Sequence, residues 1–348
     1  MREPNRRCRI LGMGSAVPDR ILSNCDLERL VDTSDEWITS RTGIKERRII
    51  KIGEKLTDYC VKAARRALED AQTEAGELDA IFLGTVTGDF RFPATSVLVQ
   101  SELRAMNAYA MDISATCSGW LYALFHADAL IASGRIRKAL VMGGEMLTSI
   151  TDWADRSTCV LFGDAAAAAV VEASDNDQGV LSVHIGSNGD LADLLYCKGG
   201  GNGRYLNEES IRKGEHFLRM SGNEVFKHAV RTMYRASLKA LELAQLQPDD
   251  IDWLITHQAN IRIIEATAER LNFPRERVFI NIDKYGNTSA ASVPLAIDEA
   301  RRTGRLKAGQ TILAVVLAAD SLGGARSFAS ESSCLFRWSF LNSSLGNL

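Results

Sequence analysis

The chain reads as two similar α/β halves, and three observations lead there. Apolar runs without alternation recur between helix-like stretches, the pattern of strands buried on both faces. Three of these runs return at nearly one offset. Asp79-Ala80-Ile81-Phe82 is answered by Asp252-Trp253-Leu254-Ile255 and Leu140-Val141-Met142-Gly143 by Leu313-Ala314-Val315-Val316, both 173 residues on; Ala110-Met111-Asp112 is answered by Asn281-Ile282-Asp283, 171 on. The length, 348 residues, is also more than one core usually holds. The halves are expected over residues 1–175 and 176–320, with a separate tail over 321–348.

In chain order, residues 9–18 form a strand and a glycine turn. Gly12 and Gly14 have no third glycine or acidic partner in place, so no dinucleotide site is inferred. Ser23 with Asn24, and then Ser34, cap short helices. Over 57–71 the apolar positions Cys60, Ala63, Ala64, Ala67, Leu68 and Ala71 fall on one helical face. A strand over 78–83 ends at Gly84, a helix covers 97–106, and a strand over 108–113 runs into Ser114-Ala115-Thr116-Cys117-Ser118-Gly119-Trp120. A helix over 121–132 and a strand over 139–142 follow, and Cys159 reads as a structural residue of another apolar strand. Residues 223–244 are amphipathic, with Phe226, Ala229, Val230, Met233, Leu238 and Leu241 on one face. The repeated strands come after it.

A net charge of -3 argues against a general nucleic-acid binder, and no uncharged apolar run approaches ~18 residues, so no membrane span is expected. Seven cysteines lie scattered without a Cys-x-x-Cys pair, which indicates neither a zinc site nor a redox dithiol. Their odd number, with no leader-like segment, fits a reducing cytoplasm.

The stretch around Cys117 sets a thiol among small residues just ahead of a helix, where unpaired backbone amides favour thiolate over thiol. By itself it also suits a buried structural cysteine. His257, closing an apolar run in Thr256-His257-Gln258-Ala259-Asn260, and Asn287, ahead of a helix in Tyr285-Gly286-Asn287-Thr288-Ser289, have equally plain individual readings as a satisfied core group and a helix cap. Together they place a nucleophile, an imidazole and an amide beyond three strand ends, where open α/β sheets bind ligands. That set suits acyl transfer through a cysteine thioester, with His257 and Asn287 as donors to the thioester oxygen of a decarboxylating partner. Charge develops on one oxygen, so no metal or bound cofactor is called for. His126, His184, His216 and His228 read as ordinary structural or surface groups. Arg41, Arg156, Arg219 and Arg262 read as solvated side chains that would also suit a phosphorylated carrier at a pocket mouth, with Trp37 placed to stack a base.

From about Arg9 to Val316 the sequence resembles the β-ketoacyl-acyl-carrier-protein synthase III enzymes of the thiolase superfamily. The matching stretches are Asp32-Thr33-Ser34-Asp35-Glu36-Trp37-Ile38 with Arg41-Thr42-Gly43-Ile44, the Cys117 turn, residues 159–164, Gly222-Asn223-Glu224-Val225-Phe226-Lys227, His257-Gln258-Ala259-Asn260 and Tyr285-Gly286-Asn287-Thr288-Ser289. The resemblance implies a thiolase-like fold, two halves related by a pseudo-twofold in α-β-α-β-α layers. It implies a condensing enzyme that starts fatty-acid synthesis. Cys117 would take an acyl group from acyl-CoA, and His257 and Asn287 would promote decarboxylation of malonyl-acyl carrier protein. Trp37, Arg41 and Arg156 would grip the adenine–phosphate end of CoA; Asn223, Phe226 and Asn260 would line the pantetheine tunnel; Arg262 would help dock the carrier. Phe92 matches an aromatic that shapes the acyl pocket across a homodimer interface.

One departure stands out. The family ends with a glycine triplet and an aromatic-Thr-Trp-Gly segment that supplies an oxyanion amide. Here the chain reads Ala318-Ala319-Asp320-Ser321-Leu322-Gly323-Gly324 and then a Ser-rich tail, which leaves Gly323 or Gly324 to replace it. Three rival readings follow: a relative forming an ester, amide or diketide in specialised metabolism, a degradative thiolase with Cys334 as its late second cysteine, and a non-catalytic carrier-binding subunit.

Overall fold

Nine strands build two sheets in the computed structural model, which describes residues 7–174, 178–318 and 330–338. Strands β1 (Arg7–Ala16), β2 (Ala80–Gly84), β3 (Tyr109–Ile113), β4 (Lys138–Met146) and β5 (Asp164–Ser174) form the first, in the order β1-β5-β4-β2-β3. Strands β6 (Gly179–Ile185), β7 (Trp253–Thr256), β8 (Thr311–Ala318) and β9 (Ser330–Arg337) form the second, in the order β7-β8-β9-β6. The principal helices are α1 (Asp35–Thr42), α2 (Leu56–Asp70), α3 (Thr95–Leu103), α4 (Gly119–Ala132), α5 (Gly222–Ala244), α6 (Ile261–Arg270) and α7 (Ser292–Arg302).

The sequence repeat is a repeat in space. Replacing β1, β2, β4 and β5 by β6, β7, β8 and β9 reproduces both the strand order and every pairing direction. The counterpart of β3 is reduced to one parallel bridge, Val278 to Leu254. Residues 281–283, expected as that strand, instead begin the short helix Ile282–Tyr285. The polar groups of Asn281 explain the difference: its N–H donates to Gln258 Oε1 (3.0 Å) and its Nδ2 to Glu299 Oε2 (2.9 Å), so the chain turns rather than pairing.

The expected boundary at residue 320 also needs correction, because β9 pairs with both β8 and β6. Cys334 is a fully buried residue of this strand rather than part of an irregular tail. Its serines hide the strand from a hydropathy reading. Ser332 and Ser333 are both fully buried, and Ser333 Oγ donates to the Ala236 carbonyl of α5 at 2.8 Å. Gly323 and Gly324 lie outside the described residues.

Burial assigns the layers. Along β5 the side chains divide by parity: Ala166, Ala168 and Val170 pack with α2, while Ala169 and Val171 face inward. The inward side holds the central core, where Trp120, Leu121 and Leu124 of α4 and Val293, Ala296 and Ile297 of α7 lie between the two sheets. Beyond the second sheet, α5 and α6 pack on Leu254, Leu313 and Leu335. The order is therefore α2/α3, first sheet, α4/α7, second sheet, α5/α6. The buried face of α5 includes Ala229, Met233, Ala236, Ala240 and Leu241; Leu238, expected on it, is 41% exposed.

Two close approaches bring strand ends against the turns that begin α4 and α7. A Cβ on Gly84 would sit 2.2 Å from the backbone carbon of Gly119, and one on Gly143 would sit 2.2 Å from the carbonyl oxygen of Ala290. Only glycine lets β2 and β4 reach the starts of α4 and α7 so closely. The two turns are themselves equivalent. Thr116 (φ +41°) opens the first and Ser289 (φ +48°) the second, 173 residues later, each in the left-handed region that non-glycine residues rarely adopt.

Candidate active site

Cys117 stands in the single turn Thr116–Ser118 between β3 and α4, half-buried, at the N-terminal end of a helix that runs into the central core. His257 follows β7, and its backbone N–H donates to Val315 of β8 at 2.7 Å, which fixes the residue at the strand's end. Its ring is 4% exposed, and Nδ1 lies 2.6 Å from Ser292 Oγ at the start of α7. Burial pushes its pKa down to about 4, so the imidazole is neutral near pH 7.

Asn287 is not at a strand end, contrary to the expectation. It follows the short helix Ile282–Tyr285 and is held by the first half of the chain: its N–H donates to Leu161 (2.8 Å), and Gly163 N–H donates to its carbonyl (3.0 Å). The Ser289 N–H donates to Asn287 Oδ1 at 2.9 Å. That bond settles which end of the amide is oxygen and leaves Nδ2 as the end that can donate elsewhere. The segment that receives Asn287 is not the strand expected around Cys159, because Arg156–Cys159 is a short helix capped by Asp155. Buried Arg47 donates to the Val160 carbonyl at 2.8 Å and secures that segment.

Cys117, His257 and Asn287 all line one cavity of about 560 Å³. Trp37, Arg41, Asn223, Phe226, Asn260 and Arg262 line it as well. Arg156 is not on the wall; its guanidinium stacks at 4.9 Å over the Trp37 ring, as does that of Arg41. Arg262 lies 5.3 Å over Phe226. Both ends of the Asn260 amide are engaged: it caps α6 by accepting from Arg262 N–H (2.9 Å) and donates to the Arg41 carbonyl (3.0 Å). The cavity's outer part therefore joins α1, α5 and α6, with Arg41 and Arg262 on its wall and Arg156 stacked on Trp37. Phe92 lies apart from it, 86% exposed, on the loop between β2 and α3. Arg219 pairs with Asp152 and Asp155 rather than facing the cavity.

Three supporting residues escaped the sequence reading: Ser292 against His257, Ser289 against Asn287, and Glu145 behind Ser289. Glu145 carried a usable signal, a carboxylate at the end of the apolar strand β4. It is fully buried, and burial pushes its pKa up to about 7. The two serines sit among small residues and carried none.

A stability test follows from the neutral histidine. In the unfolded chain a histidine titrates near ~6.5. Between that value and about 4 the unfolded chain therefore binds a proton that the folded His257 does not. This contribution is intact above the window and is lost as pH falls through it. Glu145 acts with the opposite sign, since its raised pKa favours the folded state at low pH. Relative to His257→Asn, the wild-type chain should lose about 2 kcal/mol of stability between pH 7 and pH 5 by urea unfolding. Parallel pH dependences for the two proteins would contradict a buried neutral ring.

Known proteins resemble the chain along most of its length. Residues 111–189 match the family model "3-Oxoacyl-[acyl-carrier-protein (ACP)] synthase III", and residues 241–325 match the model of its C-terminal part. The chain is 50% identical over 310 residues to the β-ketoacyl-[acyl-carrier-protein] synthase III of Caldanaerobacter subterraneus, covering 89% of this chain and 94% of that protein. The enzyme of the same name from Aquifex aeolicus is 47% identical, covering 91% and 97%. The Aquifex aeolicus crystal structure superposes with a TM-score of 0.85 at 44% identity, over 96% of this chain and 100% of that one. The priming β-ketosynthase of the R1128 polyketide pathway superposes at 0.88 with 35% identity, over 97% and 98%. With half its residues shared along nearly the whole length of such a relative, the chain belongs to the β-ketoacyl-[acyl-carrier-protein] synthase III family.

Proposed function

We propose that this enzyme transfers an acyl group from acyl-CoA to Cys117 and condenses it with malonyl-acyl carrier protein, releasing CO2 and giving the β-ketoacyl-acyl carrier protein that starts fatty-acid synthesis. The Cys117 sulfur attacks the acyl thioester, and coenzyme A leaves as the thiol with the proton that Cys117 gives up. Trp37, Arg41 and Arg156 hold the adenine–phosphate end, Asn223, Phe226 and Asn260 flank the pantetheine arm, and Arg262 meets the carrier. The malonyl thioester then takes the vacated site. We assign the Ser292 hydroxyl, 2.6 Å away, as the donor to His257 Nδ1, which places the ring proton on Nε2. That N–H and Asn287 Nδ2–H donate to the thioester oxygen. The bond to the carboxylate breaks, CO2 leaves, and the enolate carbon attacks the acyl carbonyl on Cys117. Collapse of the tetrahedral adduct releases the Cys117 thiolate. The charge that develops on the malonyl thioester oxygen is met by His257 and Asn287, so the decarboxylation as drawn uses no resident cofactor.

The observation that carries this reading is the single cavity lined by Cys117, His257, Asn287 and the cationic outer wall. We also assign a second copy of the chain as partner. It would cover the edge strand β3, where Tyr109 and Met111 are exposed, and the neighbouring loop that bears Phe92. No described helix is long and apolar enough to cross a membrane, and we assign the enzyme to the cytoplasm, where its thiols stay reduced.

A second reading, ketide priming for a specialised metabolite, is favoured by the likeness to the R1128 enzyme. Incubation with an acyl-CoA panel and malonyl-acyl carrier protein separates the two by the mass of the carrier. The first reading predicts a β-ketoacyl carrier from a simple fatty-acyl primer. Transfer of the acyl group to an alcohol or amine without CO2 release would overturn it.

A further inference from the structure

We propose that Glu145 is a positioning residue for Asn287, acting through Ser289. The inference rests on the condensation described above. Glu145, next to last in β4, has no exposed surface, and among the described residues no cation is hydrogen-bonded to it. Four donors from two places converge on it. From the segment after β2 come the Val86 N–H (3.1 Å), the Thr85 hydroxyl (3.3 Å) and the Thr87 hydroxyl. From the turn before α7 comes the Ser289 hydroxyl (3.4 Å).

Ser289 holds a left-handed backbone (φ +48°) that costs energy for a residue with a Cβ, so something must keep it there. Its two polar groups do so: the hydroxyl donates to Glu145, while its N–H donates to Asn287 Oδ1. That second bond decides where Asn287 Nδ2 points. The equivalent turn at Thr116 carries the nucleophile itself, so the left-handed residue has one use in each half: presenting Cys117 in the first, orienting Asn287 in the second. The contact of Gly143 with Ala290, on the same strand and the same turn, keeps Glu145 within reach of Ser289. Thr87 also accepts from Met146 N–H (2.8 Å), tying the Phe92 loop to the end of β4.

The test compares the two half-reactions in the full-length enzyme. Acylation of Cys117 by acyl-CoA needs neither Asn287 nor its turn, whereas condensation needs both. In Glu145→Ala, acylation by intact mass should stay within about twofold of wild type. The kcat for condensation with malonyl-acyl carrier protein should fall about tenfold or more at little changed KM. Glu145→Gln, which keeps one acceptor oxygen, should recover part of that loss, and adding Glu145→Ala to Asn287→Ala should cause no further loss. A parallel fall in both half-reactions, an unchanged kcat, or losses that add to those of Asn287→Ala would overturn the proposal. Ser289→Ala removes only the hydroxyl link and guards against a variant that fails to fold. The same split is expected at about threefold, and an unchanged kcat would equally overturn it. Wild-type acylation and condensation, measured alongside, test the reaction assignment separately.

Discussion

Cys117→Ala is expected to leave no acyl adduct after incubation with acyl-CoA and to lower condensation by roughly 10⁴-fold or more, because the covalent route is removed outright. The fold should survive, since the side chain is only half-buried and the turn is set by Thr116 and by the Gly84–Gly119 contact. His257 and Asn287 are untouched by the change, so malonyl-acyl carrier protein should still lose CO2 slowly at the variant. Six other cysteines provide an internal control. Cys8, Cys60 and Cys334 are fully buried with thiols pushed up by burial, and the Cys159 thiol is pushed up to about 11. An adduct persisting on any cysteine of Cys117→Ala would contradict the assignment of the nucleophile. Peptide mapping of the labelled protein reads this directly.

The second large effect is expected at the two donors. Asn287→Ala and His257→Ala should each lower condensation by roughly 10²–10³-fold, the usual consequence of removing one donor to a developing oxyanion. Acylation of Cys117 should persist in both. The double variant should lose much less than the product of the single losses, because the two donors serve one oxygen. His257 is neutral down to about pH 4, so its donor role should give condensation no inflection between pH 5 and 8. Rapid-quench measurement of CO2 release from the pre-acylated variants checks these points. A variant that loses acylation and condensation together would place the residue in the first step instead.

Much of this site was legible because residue type and strand order carried it. Cys117 and His257 stand directly after apolar runs, and the repeat of those runs predicted the arrangement that brings them together. The rest depended on contacts that leave no local trace. Asn287 reaches the cavity by bridging Phe162 of the other half, a pairing of segments more than a hundred residues apart. Strand β9 was hidden because serines fill buried positions in it, Ser333 bonding to α5, which makes a core strand look like a polar tail. Residues 281–283 were expected as a strand, but the hydrogen bonds of Asn281 turn the chain into a short helix and only the bridge at Val278 pairs with β7. The outer wall needed α1, α5 and α6 side by side, and only then do Arg41 and Arg262 belong to the same opening.

The central claim is that one thiol and two hydrogen-bond donors, joined in one cavity, couple acyl transfer to decarboxylation. It is tested most directly in a single turnover. Enzyme carrying an acyl group on Cys117 is isolated, mixed with malonyl-acyl carrier protein, and followed for loss of the adduct and release of CO2. The account predicts that both proceed at one rate and in equal amounts, with the acyl group recovered on the carrier as its β-keto product. Adduct lost to water without CO2, or CO2 released with the adduct intact, would contradict it.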